Sequence, residues 1–355
     1  MFTLSKQDTL VLKGIAICAM LCHHLYTCPD YIGDGIIPYT GFLAWIGVLG
    51  KVCVSIFLFC SGYGLAANYT PVSFKEDLKF FSHRLIKFYL NYWVIFIIFV
   101  PITIFVFHRS LGDAYGAVNI PKRFVYDILG VQIPPYNVTW WFNKLIIIFY
   151  LLFPILYRII RIKPWTMLLV SCAIVRFSSF LPSSSVNIWW WQLPFIMGIV
   201  WKFYETKGEC VQEWLEKHKT IAILSSLYLL CCMIVLRMNS IIPHWTGIGV
   251  DGFLTCSIVY CVIAIIRHMK HILVTLEFLG KHSMNIYMTH TFFNAYWNPE
   301  WLHSGEWMRG GANLIILMLI CLFVSIVLEF IKEKIGLYKF INYITHNTSH
   351  IIHNT

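Results

Sequence analysis

The sequence predicts an all-α polytopic membrane bundle, and three observations lead there. Of its 355 residues, 58% are hydrophobic and only 12% are charged, whereas soluble domains carry about 25% charged residues. The apolar residues come in long runs of about twenty rather than at one-face spacing. That is the length a helix needs to cross about 30 Å of hydrocarbon at about 1.5 Å per residue. The basic residues, finally, alternate between the connections, as cytoplasmic loops collect Lys and Arg.

Taken in order, about ten transmembrane helices are expected, at residues 10–28, 42–65, 87–107, 140–158, 165–181, 187–204, 220–237, 248–266, 283–298 and 312–331. The ninth is the weakest, because it carries Asn285, His290 and Asn294. With the N-terminus inside, nineteen of the 27 basic residues fall on inner segments, five on outer segments and three (Lys51, Lys144 and Arg176) within spans. Both termini are therefore placed in the cytoplasm. The net charge of +10 follows from this orientation and from attraction to anionic headgroups, so no nucleic-acid partner is expected. Residues 1–340 read as one transmembrane domain and 341–355 as a polar, His-rich tail. Residues 108–139 read as an ordered outer loop or cap, and 205–219 as an inner surface helix.

The first run does not read as a cleavable signal, since Lys13-Gly14 interrupts it and His23-His24 ends it. Most of the twelve cysteines sit inside apolar runs, where a thiol behaves as a small hydrophobe. None has zinc-ligand spacing, and no metal site is expected.

An ionisable residue inside a span is costly and marks a site or pathway by default. Lys13 and His24 are eleven residues apart, which at 100° per residue falls about 20° from three whole turns. They share one helical stripe, about 16 Å apart along the axis. Spacing alone leaves two readings open: Lys13 snorkels to headgroups while the histidines cap the outer end, or the stripe lines a site. Histidine is the side chain best suited to move a proton near neutral pH, and carboxylates are scarce in the spans. His24 and His290 are therefore the candidate proton carriers, with His23 pointing about 100° away.

Ser61, Gly62, Tyr63 and Gly64 end the second span, the glycines allowing close approach and the others offering hydroxyls. Helix packing explains small residues there equally well. Arg84 and Lys87, three apart, share a face at the inner mouth; they suit phosphates or simple positive-inside anchoring. Trp140-Trp141 and Trp189-Trp190-Trp191 lie near the outer boundary, as an aromatic belt or a sugar-stacking surface. Lys51 and Lys144 are secondary candidates.

These elements, in this order, resemble the acyltransferase-3 family of membrane acyltransferases. The family opens with a basic residue, a Gly and a His eleven residues after the basic one; Lys13, Gly14 and His24 match, with Lys for the usual Arg. Ser61-Gly62-Tyr63 matches its second-span element. Arg84 and Lys87 match an Arg-x-x-Arg stretch, again with one Lys for Arg, and Leu90 stands where a Pro is usual. Trp141-Phe142, FYLLFPIL at 149–156 and LGKHSMNIYMTH at 279–290 complete the series.

The resemblance implies O-acetyl transfer from cytoplasmic acetyl-CoA to a hydroxyl of a cell-surface or exported glycan, such as a lipid-linked saccharide, in a bacterial inner membrane. His24 and His290 are then the expected catalytic residues, with His24 as general base or acyl relay. Lys13, Arg84, Lys87, Ser61 and Tyr63 are expected to hold the donor. A polysaccharide exporter with no transferase activity also suits ten spans with buried cations, and a need for coenzyme A separates the two.

Overall fold

The computed structural model describes residues 3–27, 40–70, 73–116, 119–183, 185–205, 213, 217–239, 247–297 and 307–344, and no strand occurs among them. Helix α1 is Lys6–Thr27, α2 is Gly41–Gly50, α3 is Cys53–Asn68 and α4 is Phe74–Phe105. The short helices α5 (Leu111–Tyr115) and α6 (Ile120–Ile128) lead into α7 (Trp141–Ile162), α8 (Pro164–Arg176) and α9 (Ile188–Tyr204). Then come α10 (Lys219–Asn239), α11 (Gly247–Ala264), α12 (Lys270–Lys281), α13 (Ser283–Thr291) and α14 (Trp307–Lys334). Lipid leaves no water to satisfy backbone polar groups, so an apolar chain of this kind closes its hydrogen bonds within helices.

Seven stretches are long and apolar enough to cross a membrane: 6–27, 41–68, 75–105, 138–162, 219–239, 249–268 and 310–334. The other three expected spans correspond to shorter helices, α8, α9 and α13 with its continuation. Four details differ from the sequence reading. The second span is broken at Lys51-Val52 into α2 and α3. Helix α4 begins thirteen residues earlier than expected, so Arg84 and Lys87 stand on the membrane helix itself. Residues 270–281, read as a connection, form α12. Helix α13 continues as a π-helix over Phe292–Tyr296. Helix α14 ends at Lys334, a turn follows at Ile335-Gly336, and residues 337–344 are helical again; residues 345–355 of the expected tail lie outside the described residues, as does most of the segment 205–219.

Without a hydrophobic force between helices in lipid, close van der Waals packing holds the bundle, and small residues allow it. A Cβ at Gly62 would stand 2.2 Å from the Phe195 carbonyl oxygen, and one at Gly198 2.2 Å from that of Phe59. These two glycines thus set the α3–α9 contact backbone to backbone. Gly14 and Gly280 do the same for α1 and α12, where a Cβ would meet the carbonyl oxygens of Leu276 at 2.1 Å and Leu10 at 1.9 Å.

Ion pairs to buried carboxylates tie the ends. Arg267 holds Asp8 at 2.7 Å, and Arg158 holds Asp77 at 2.5 Å. Arg237 binds Asp251 at 2.6 Å, with 6% and 0% of those side chains exposed. Lys332 donates to Asn285 Oδ1 at 2.6 Å. The outer connection is an ordered cap: Asp127, fully buried, accepts from Tyr115 and from Gln132, while the Tyr92 hydroxyl donates to its carbonyl at 2.7 Å.

Candidate active site

Helices α1, α3 and α7 carry two cavities along their length. The first, of about 150 Å³, is lined by Lys13 of α1, Phe57 and Ser61 of α3, Asn143 and Tyr150 of α7, and Ser283 and Tyr287 of α13, among others. The second, of about 620 Å³, is lined by His23, His24 and Thr27 of α1, by Lys51, Cys53 and Val54, and by Trp141, Trp190 and Trp191. Since α1 presents Lys13 to one cavity and His24 to the other, the cavities follow one another along the helix axis. The Lys13 cavity lies toward the end where basic residues gather, and the His24 cavity toward the opposite end.

A row of aromatic rings runs from the wall of the first cavity toward the second. Phe57 and Phe142 have centroids 6.2 Å apart, Phe142 and Tyr287 5.6 Å, and Tyr287 and His290 6.4 Å. The His290 ring then lies 4.8 Å from that of His24. A continuous series of rings therefore leads from the first cavity to the imidazole on the wall of the second.

His290 is fully buried, and its Nδ1 is 2.7 Å from the Tyr287 carbonyl oxygen. A carbonyl only accepts, so Nδ1 carries the hydrogen and Nε2 offers a lone pair. Nε2 is 3.2 Å from Thr291 Oγ1, which is 2.8 Å from Thr139 Oγ1, and Thr139 donates to Asn137 Oδ1 at 2.6 Å. The π-helical turn opens immediately after Thr291, and such wide turns recur at functional sites. His23 is used differently: its Nδ1 reaches the Gly47 carbonyl oxygen at 2.9 Å and fastens α1 to α2.

Toward the basic end, Lys87 lies within the electrostatic reach of Arg84, Lys13 and Lys6. Arg84 acts in turn on Tyr150, which lines the first cavity. Among the described residues none of these four cations is ion-paired; the carboxylates in pairs serve Arg158, Lys202, Arg237, Arg267, Lys281 and Lys332. Like charges gathered without counter-charge repel one another, and the arrangement is suited to a polyanion.

The structure thus places His24 on the wall of one cavity with His290 packed against it, and Lys13, Arg84, Lys87 and Ser61 at or near the other. Ser61 spends its proton on the Phe57 carbonyl, at 2.8 Å, and keeps its lone pairs for the cavity. Tyr63 lies elsewhere. It is buried, lines neither cavity, and its hydroxyl sits 2.8 Å from both the Leu4 carbonyl and the Glu205 carboxylate. Of the secondary candidates, Lys51 lines the His24 cavity, while Lys144 reaches out to Ser185 at 3.1 Å. Trp140 is a core residue, its ring N–H donating to the Met288 carbonyl at 2.9 Å, whereas Trp141, Trp190 and Trp191 face the cavity. Sequence reasoning passed over Asn143, although a polar side chain inside an apolar run is itself a signal.

A family model described as an acyltransferase domain matches residues 11–332, nearly the whole chain. No curated protein and no solved structure matches it.

Proposed function

Because the chain belongs to the acyltransferase-3 family, matching over residues 11–332, we propose that it is an O-acetyltransferase working across the membrane. The donor is acetyl-CoA, entering from the basic end, and the acceptor is a hydroxyl of a cell-surface or exported glycan entering the His24 cavity. A bacterial inner membrane is the setting that fits a cytoplasmic donor and an exported acceptor. One observation carries the reading: two cavities lie in series, an unpaired cationic cluster beside the first and a histidine pair at the second, with a row of rings between.

Lys13, Arg84 and Lys87 suit the phosphates of the nucleotide end, since charge-assisted bonds to phosphate are strong. The apolar lining of the first cavity (Phe57, Phe88, Phe142 and Ile146) suits the thin pantetheine arm. Trp141, Trp190 and Trp191 offer flat faces to a sugar ring.

In the transfer, His24 takes the proton of the acceptor hydroxyl as its oxygen bonds to the thioester carbonyl carbon. The tetrahedral oxyanion collapses, the C–S bond breaks, and the leaving thiolate takes from the imidazolium the proton that came from the acceptor hydroxyl. The same atoms serve a relay in which His24 first carries the acetyl group and then passes it to the acceptor, so that donor and acceptor react in turn. His290 positions His24 and presents Nε2 to the hydroxyl of Thr291, which in turn meets that of Thr139.

Acetyl-CoA should raise the melting temperature of the purified protein, by mass action on the folded state. An exporter would show no such shift. Mass spectrometry of surface glycans from cells with and without the protein should show acetyl groups only with it; equal acetyl content would refute the assignment.

A further inference from the structure

Asn143 is buried, with 2% of its surface exposed, in the first turn of α7 on the wall of the Lys13 cavity. Among the described residues neither its Nδ2 nor its Oδ1 has a hydrogen-bond partner. A buried carboxamide with both ends unsatisfied destabilises the free protein, which points to a ligand that satisfies it. Two other polar groups of this wall are engaged: Ser61 donates to Phe57 and the Tyr287 hydroxyl donates to the Thr139 carbonyl at 2.8 Å. Asn143 offers one donor and one acceptor side by side. Its best complement is a pair of successive secondary amides, one returning an N–H and the other a C=O, since a single trans amide points the two in opposite directions. Phosphates and thioester carbonyls only accept. A sugar hydroxyl does both, but the Trp-lined cavity suited to sugars lies at the far end of the row of rings, whereas Asn143 is surrounded by Phe57, Phe142, Ile146 and Met288.

We propose that Asn143 binds the pantetheine arm of the donor, its carboxamide accepting from the N–H of one of the arm's two secondary amides and donating to the C=O of the other. The inference rests on the acetyl-CoA reading above and adds a binding residue to it. It gives the donor two separately held parts: phosphates at the cationic cluster and the arm at Asn143.

Two ligands separate these parts. The purified full-length protein is titrated with acetyl-CoA and with 3′-phospho-ADP, the nucleotide portion lacking the arm. Wild type binds both. Asn143→Leu keeps wild-type affinity for 3′-phospho-ADP and binds acetyl-CoA roughly tenfold more weakly. Without ligand it melts at or above the wild-type temperature, because an unsatisfied amide has been replaced by an isosteric apolar group. Asn143→Ser, smaller and unable to make the paired contact, shows the same selective loss. Undiminished acetyl-CoA binding in both variants overturns the proposal. So does a parallel loss of both ligands with a lowered melting temperature, which assigns the side chain to the fold. If wild type binds neither ligand, the donor reading itself falls, and the variants are not its cause.

Discussion

The imidazole rings of His24 and His290 lie 4.8 Å apart, one on α1 and the other on α13, so that a residue 266 positions distant in sequence packs behind the His24 ring on the cavity wall. His290 is fixed from behind by the Tyr287 carbonyl, at 2.7 Å from Nδ1, so its ring orientation does not depend on substrate. His24→Ala should lower acyl transfer by about 10²- to 10⁴-fold, the usual worth of a positioned general base, with expression and melting temperature retained. His290→Ala should also lower the rate, through loss of a positioned neighbour. Undiminished turnover in His24→Ala would remove that residue from the chemistry.

The cationic cluster should act on the donor and not on the acceptor. Arg84→Gln, Lys87→Gln and Lys13→Gln should each raise the KM for acetyl-CoA, by roughly tenfold for a lost charge-assisted contact, and leave the acceptor KM unchanged. Because phosphate contacts at an exposed mouth are screened by salt, the wild-type KM for acetyl-CoA should rise with ionic strength, and each variant should rise less. Equal salt dependence in wild type and variants would place the donor phosphates elsewhere.

The glycines make opposite forecasts from the same residue type. Gly14→Ala, Gly62→Ala and Gly198→Ala put a methyl group within 2.2 Å of a backbone oxygen of the neighbouring helix, and overpacking of this kind costs about 1–3 kcal/mol or more. Gly64→Ala meets nothing within 4 Å and gains helix propensity, about 0.8–1.0 kcal/mol in its favour. Thermal melting in detergent reads both. A tolerated Gly62→Ala would contradict the α3–α9 packing.

Arg237 and Asp251 are paired where neither reaches water. Asp251→Ala strands the guanidinium and should cost about 3–5 kcal/mol. Replacing both partners with apolar residues of similar volume should restore most of that loss, since a buried pair often contributes little beyond its own desolvation. A double variant as unstable as the single one would show that Arg237 has a second essential contact; its bond to the Val48 carbonyl, at 3.2 Å, is the one present.

Much of this was legible in the chain because lipid is a demanding solvent. Apolar run length gave the helical membrane class, and an eleven-residue interval placed Lys13 and His24 on one stripe. The interval could not show that the stripe passes two cavities rather than one, because the rings that lead from one to the other come from α3, α7 and α13, brought together only by packing. The break at Lys51-Val52 was hidden inside a continuous apolar run, yet it sets Lys51 beside the histidines. Helix α12 falls between the expected spans 248–266 and 283–298: Gly280 belongs to the segment 279–290 matched to the family, and only its contact with Leu10 shows why a side chain is excluded there. Tyr63 read as a hydroxyl for the site, whereas the fold turns it to Leu4 and Glu205. Beside the charged Lys144, Asn143 drew no notice, although the lysine reaches Ser185 and the amide faces the cavity.

The most direct test uses proteoliposomes in which the basic end faces the lumen. Acetyl-labelled acetyl-CoA is enclosed inside and an acceptor glycan is supplied outside. The account predicts label on the external glycan with wild type and none with His24→Ala. Label confined to the lumen, or equal transfer by the two proteins, would contradict it.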